Sequence, residues 1–87
     1  MNAETALGEL EALAEKLQVQ VNYDHFTTEG NVSGGLCKLR GQWRVIIERK
    51  TSVTEKVSTL ARCLSGFDLE DTYLSPALRD LLNQHRP

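Results

Sequence analysis

The chain has 87 residues, 40% apolar and 25% charged, the make-up of an ordinary folded domain rather than a disordered or fibrous chain. Ten basic against twelve acidic side chains give a net charge of −2, which excludes a wholly basic nucleic-acid wrapper. No apolar run nears the roughly 20 residues needed to cross a bilayer. Residues 1–87 therefore read as a single small domain, with no membrane segment, that buries about 60–65% of its unfolded surface.

The first helix begins after Asn2, a good N-cap whose side chain can accept a backbone amide. At 100° per residue Ala6, Leu7, Leu10, Leu13, Ala14 and Leu17 form one apolar stripe. Glu4, Glu11 and Glu15 cluster elsewhere and read as a solvated face. The period then changes to two. Val19, Val21 and Tyr23 alternate with polar residues and predict a half-buried strand. Asp24–Gly30 is polar and reads as a loop, and Gly34-Gly35 suits unusual backbone angles or a close backbone approach. Leu36–Arg40 predicts a second strand, with Cys37 and Leu39 expected toward the core. Gly41-Gln42 is expected to form a tight hairpin turn. Trp43–Glu48 predicts the third and most buried strand, with Trp43, Val45 and Ile47 on one face.

Ser52-Val-Thr-Glu55 has the spacing of a capping box and opens a helix over 53–65, with Val53, Val57, Leu60, Ala61 and Leu64 inward and Gly66 at its end. Phe67 and Leu69 are expected to pack under the following turn. Asp68, Glu70 and Asp71 read as capping and solvation, because they lack the glycine and distal glutamate of a calcium loop. Ser75-Pro76 opens a last helix carrying Leu78, Leu81 and Leu82. The expected fold is α+β: an N-terminal helix, a three-stranded antiparallel meander, and two C-terminal helices packed on one sheet face.

Charge is unevenly spread. Residues 1–36 carry one Lys and six acids, residues 37–62 seven bases and two acids, and residues 63–87 two bases and four acids. Lys38, Arg40, Arg44, Arg49 and Lys50 form a candidate basic patch for an acidic partner or nucleic acid; their plainer reading is a soluble outer sheet face. Gly34-Gly35 lacks the following Lys-Ser/Thr of a phosphate loop, no Gly-x-Ser-x-Gly occurs, and His25 and His85 are isolated. The residues therefore supply no catalytic, cofactor or metal constellation. Cys37 and Cys63 lack Cys-x-x-Cys spacing and form a candidate thiol pair only if the second helix covers the sheet face bearing Cys37. The polar start Met-Asn-Ala-Glu-Thr is unlike a secretory signal, so a cytoplasmic setting with reduced thiols is expected.

Several strings carry a resemblance. Leu10-Glu-Ala-Leu-Ala-Glu-Lys-Leu17 with Val19-Gln-Val21, then Gly34-Gly35-Leu36, Arg44-Val-Ile-Ile47 and Ser52 leading to Thr59-Leu60-Ala61 resemble the ImmA/IrrE-type zinc metallopeptidase domain over about residues 7–66. The resemblance implies a helix, a small sheet and a helix that bears His-Glu-x-x-His. Arg62, Cys63, Leu64, Ser65 and Gly66 stand at those positions here, so both histidines and the general-base glutamate are missing. Arg62 repels a cation and Gly66 offers no ligand, and no catalytic residue of the family carries over. The Gly34–Cys37 strand and the Phe67–Asp71 turn also resemble short uncharacterised bacterial proteins. The expected function is accordingly non-enzymatic: binding to a protein partner or to a second copy, with Ile46, Phe67, Tyr73 and Leu74 as candidate interface residues. A nucleic-acid module on the basic hairpin and a thiol switch at the cysteines are the alternatives.

Overall fold

The computed structural model describes residues 1–25 and 34–86. Its elements are α1 (Ala3–Lys16), β1 (Gln20–Asp24), β2 (Gly34–Leu39), β3 (Gln42–Glu48), α2 (Val53–Leu64) and α3 (Pro76–His85). Apart from Asp24 and His25, the loop expected over Asp24–Gly30 lies outside the described residues.

The helices start where their caps place them. Asn2 Oδ1 accepts the Thr5 amide at 2.7 Å, Ser52 Oγ the Glu55 amide at 3.1 Å, and Ser75 Oγ the Leu78 amide at 3.2 Å. Each bond satisfies a donor that has no partner within its helix. The apolar stripes then meet in one core. Leu10, Leu60, Leu64, Val45 and Ile47 are fully buried and Leu82 nearly so, each worth about 1.5–3 kcal/mol of transfer free energy.

The sheet is mixed, not an antiparallel meander. Its order is β1-β3-β2, with β1 parallel and β2 antiparallel to β3. The strand richest in apolar residues, Val45-Ile-Ile47, thus takes the centre, where both of its edges are paired. The helices also divide differently from expectation. α1 and α2 lie side by side on the sheet, whereas α3 packs on α2 and α1 and touches no strand. Leu78 and Leu82 of α3 therefore bury against helices.

Register decides which side chains face α1 and α2. Leu36 pairs with Val45 and Lys38 with Trp43, while Cys37 pairs with Arg44 and Leu39 with Gln42. Paired residues share a face, so Leu36 and Lys38 point to the helix side with Val45. Cys37 and Leu39 point to the open side, opposite to expectation. The cause is the turn. Arg40 and Gly41 have φ of 53° and 80°, the two positive angles of a type I′ hairpin, so the turn is Arg40-Gly41 and Gln42 already belongs to β3. Lys38 stays exposed on the helix side, with its Nζ 5.2 Å from the centre of the Trp43 ring, within cation–π range.

Gly34 has a requirement that Gly35 lacks. Its φ is +148°, and a methyl group there would overlap the Ile46 carbonyl oxygen and press on Thr59 Cγ2 of α2 at 3.1 Å, whereas a methyl at Gly35 would meet nothing within 4 Å. Gly34→Ala is expected to lower the unfolding free energy by about 2–4 kcal/mol. Gly35→Ala should change it by less than about 1 kcal/mol. Urea unfolding of the two variants checks the contrast.

Candidate functional site

The sequence's candidate residues do not gather in one place. In the basic group, Arg40 sits at the hairpin turn, while Arg49 and Lys50 follow the opposite end of β3, a strand length of about 20 Å away. Lys38 faces the helix side and Arg44 the open side. Arg44 Nε is covered without a hydrogen-bond partner among the described residues. The Arg49 amide donates to the Asp24 carbonyl at 2.8 Å and extends the β1–β3 ladder. Lys56 donates to the carbonyls of Arg49 and Thr51 and so ties the β3–α2 connection. The five cations thus occupy two sheet faces and two ends rather than one stripe.

The candidate interface residues also separate. Leu74 is buried in the same core cluster as Leu78 and Leu82 of α3 and is unavailable to a partner. Tyr73 beside it is 79% exposed. Ile46 is half-buried on the open sheet face. Phe67 is half-buried and meets Trp43 edge-on, with ring centres 5.6 Å apart and planes at 84°, a favoured aromatic geometry.

The two cysteines lie on opposite sides of the sheet. Cys37 is exposed, whereas Cys63 is buried in α2. Burial pushes the Cys63 thiol above its ordinary pKa, and the neighbouring Arg62 offsets this only in part. A protonated, covered thiol is a poor nucleophile. His25 Nδ1 lies 3.0 Å from Glu48 Oε1, a local pair at the end of the sheet, and Glu48 Oε1 also accepts the Lys50 amide. Among the described residues no three His, Cys, Asp or Glu side chains are arranged to hold a metal ion. Glu70 donates its amide to Asp68 Oδ1 at 3.1 Å, so Asp68 caps the turn as its sequence suggested.

Sequence reasoning missed two features. Glu11 is not simply solvated: its Oε2 accepts the Tyr23 hydroxyl at 2.5 Å, joining α1 to β1. Burial, and then the bond to Glu11, push the Tyr23 phenol well above its ordinary pKa. The second feature is the hairpin surface. Of the five large apolar side chains exposed among the described residues, Leu36, Leu39 and Trp43 all belong to it. Leu36 and Trp43 flank Lys38 on the helix side; Leu39 projects from the other. The signal was present in Leu36-Cys-Lys-Leu-Arg40, but an error of one residue in the turn hid it. A broad cleft of about 830 Å³ opens beside Phe67, bounded by the 65–74 segment and by Arg79, Asn83 and Arg86.

Two outcomes follow. At pH 7.5 a small alkylating reagent should label Cys37 faster than Cys63 by on the order of tenfold or more, with Cys63 reacting fully only in denaturant; mass spectrometry of timed samples reads both rates. Tyr23→Phe should cost about 1–2 kcal/mol at neutral pH. Because the folded phenol titrates above the unfolded value of about 10, its contribution is complete below that pH and is lost as pH rises further. Wild-type stability should therefore fall above about pH 10, and the Phe variant should lack that part of the slope.

Comparison with known proteins adds no relative: no family model matches the chain, and no curated protein or solved structure shows significant similarity to it.

Proposed function

We propose that this domain is a non-enzymatic binding module that engages a protein through the β2–β3 hairpin. The observation that carries the reading is that exposed Leu36 and Trp43 on the helix side and exposed Leu39 on the open side all belong to one hairpin. Apolar side chains exposed together in a folded protein mark contact surfaces more often than scattered ones do. Trp43 is held edge-on by Phe67, so a partner meets an aromatic side chain that is already positioned, which lowers the ordering cost of binding.

Two further observations support a non-catalytic role. Arg62 and Gly66, at the positions where the resemblance to zinc peptidases requires histidines, do not fit a zinc ion. Cys37 and Cys63 are separated by the sheet and do not form a redox couple. The dispersal of Lys38, Arg40, Arg44, Arg49 and Lys50 weakens the nucleic-acid alternative, which needs a continuous cationic track.

The test is capture from cell lysate on tagged protein, with and without nuclease, comparing wild type with Leu39→Glu. Leu39 is more than half exposed, so the variant should keep its melting temperature to within about 2 °C. A stoichiometric protein that survives nuclease and is lost on Leu39→Glu is the expected result. Capture abolished by nuclease, or indifferent to the substitution, would overturn the reading.

A further inference from the structure

β2 is an edge strand. β3 covers one of its sides, and among the described residues no strand pairs with the other. The type I′ turn determines which backbone groups stand free along that edge. In such a turn Leu39 and Gln42 form the hydrogen-bonded pair that closes the hairpin. Bonding then alternates along an antiparallel ladder, so Cys37 and Gly35 direct their N–H and C=O to β3. Leu36 and Lys38 direct theirs away from the sheet.

The side of this edge facing the helices is a groove. Thr59 of α2 sits against Gly34 at the start of β2. Phe67, just past the end of α2, sits against Trp43, the partner of Lys38. The helix therefore runs alongside β2 in the same direction. Arg62 lies 60° around the helix from Thr59, on the flank away from Leu60 and Leu64, and is exposed. One wall of the groove thus carries Arg62, the floor carries Leu36 and Lys38, and the hairpin end carries Arg40. Of the two acids in the 37–62 segment, against seven bases, Glu48 lies at the far end of β3 and Glu55 stands about two turns before Arg62 on the same flank of α2, toward the start of β2, while Asp68 follows Phe67; the cations Lys38, Arg40 and Arg62 hold the stretch between.

We infer that the β2 edge captures an extended acidic segment of another protein by strand addition. The inference rests on the hairpin-binding reading and names the partner's chemistry. Main-chain bonds to Leu36 and Lys38 supply the contact, as in other strand-addition complexes. Carboxylates of the segment meet Lys38, Arg40 and Arg62, and its aliphatic residues cover Leu36 or Leu39, depending on face. A second copy of β2 suits the groove less well, because it brings its own Lys38 and Arg40 to a surface that is already cationic.

The experiment uses the whole 15N-labelled chain and three capped heptapeptides. One alternates Glu and Val, one alternates Lys and Val, and one is the Glu-Val peptide N-methylated at alternate amides. The Glu-Val peptide should slow amide hydrogen exchange at Leu36 and Lys38 at least tenfold. The double variant Lys38→Glu, Arg62→Glu, if its melting temperature is retained, should bind at least tenfold more weakly. The Lys-Val and N-methylated peptides should give no such protection. Equal binding of the Lys-Val peptide would overturn the acidic specificity, and equal binding of the N-methylated peptide would overturn strand addition. Concentration-dependent protection of β2 without peptide would make a second copy the occupant, and the same protection by an oligonucleotide would make it nucleic acid; either overturns the inference. Shifts at Leu39 and Trp43 without protection at Leu36 and Lys38 would also overturn it, but would leave the hairpin-binding reading intact. That reading fails by a separate route, when lysate capture is indifferent to Leu39→Glu.

Discussion

The arrangement of this domain depends on covering β3. Val45 and Ile47 are fully buried, so the strand that carries them lies under the helices and cannot leave its backbone groups unpaired without a cost of about 1–3 kcal/mol each. β1 on one side and β2 on the other meet that demand. With three strands among the described residues, satisfying β3 leaves both flanking strands with an outer edge that no other described strand pairs. The same requirement that builds the core therefore leaves strand backbone without a strand partner at the edges of the sheet.

The hairpin shows how a small domain accommodates residues that look misplaced. Lys38 is exposed on the helix side of the edge strand, and its ammonium lies over Trp43. Trp43 in turn is held by Phe67 from the segment after α2. Arg40 adopts a left-handed conformation that asparagine or glycine takes more easily. The turn thus holds a cation at its tip at some expense in local stability. These side chains form one connected group in which charge and aromatic surface are both near solvent.

Much of the fold was legible in the sequence, and the errors have definite physical origins. The stripe from Ala6 to Leu17, the stripe from Val53 to Leu64 and the Ser75-Pro76 start all reappear because 3.6-residue periodicity and capping are local properties. The alternation Val19, Val21, Tyr23 identified a strand but not its direction, since parallel and antiparallel neighbours ask for the same in-and-out pattern. Setting the turn at Gly41-Gln42 rather than Arg40-Gly41 was an error of one residue, and with a period of two it turned Cys37 and Leu39 to the wrong face. Leu74 looks like an apolar residue left over once the helix and strand stripes fill the core, yet it is itself part of that buried core. Glu11 looked like a surface charge because its partner, Tyr23, is twelve residues away. No spacing rule could link the exposed hairpin side chains to Arg62, because the groove forms only when α2 lies along β2.

The parallel pairing of β1 with β3 also has a kinetic side. The β2–β3 hairpin closes over two turn residues, and units of that kind form in about 1–10 μs. Val21 reaches Val45 only after more than twenty intervening residues have been gathered in, and long-range pairings of this sort come later as a rule. Until β1 docks, Val45-Ile-Ile47 has one open side and resembles the apolar, weakly charged segments that promote aggregation. The tie from Tyr23 to Glu11 joins β1 to a helix next to it in the chain. Delivering strand and helix as one body shortens the search that closes this vulnerable edge.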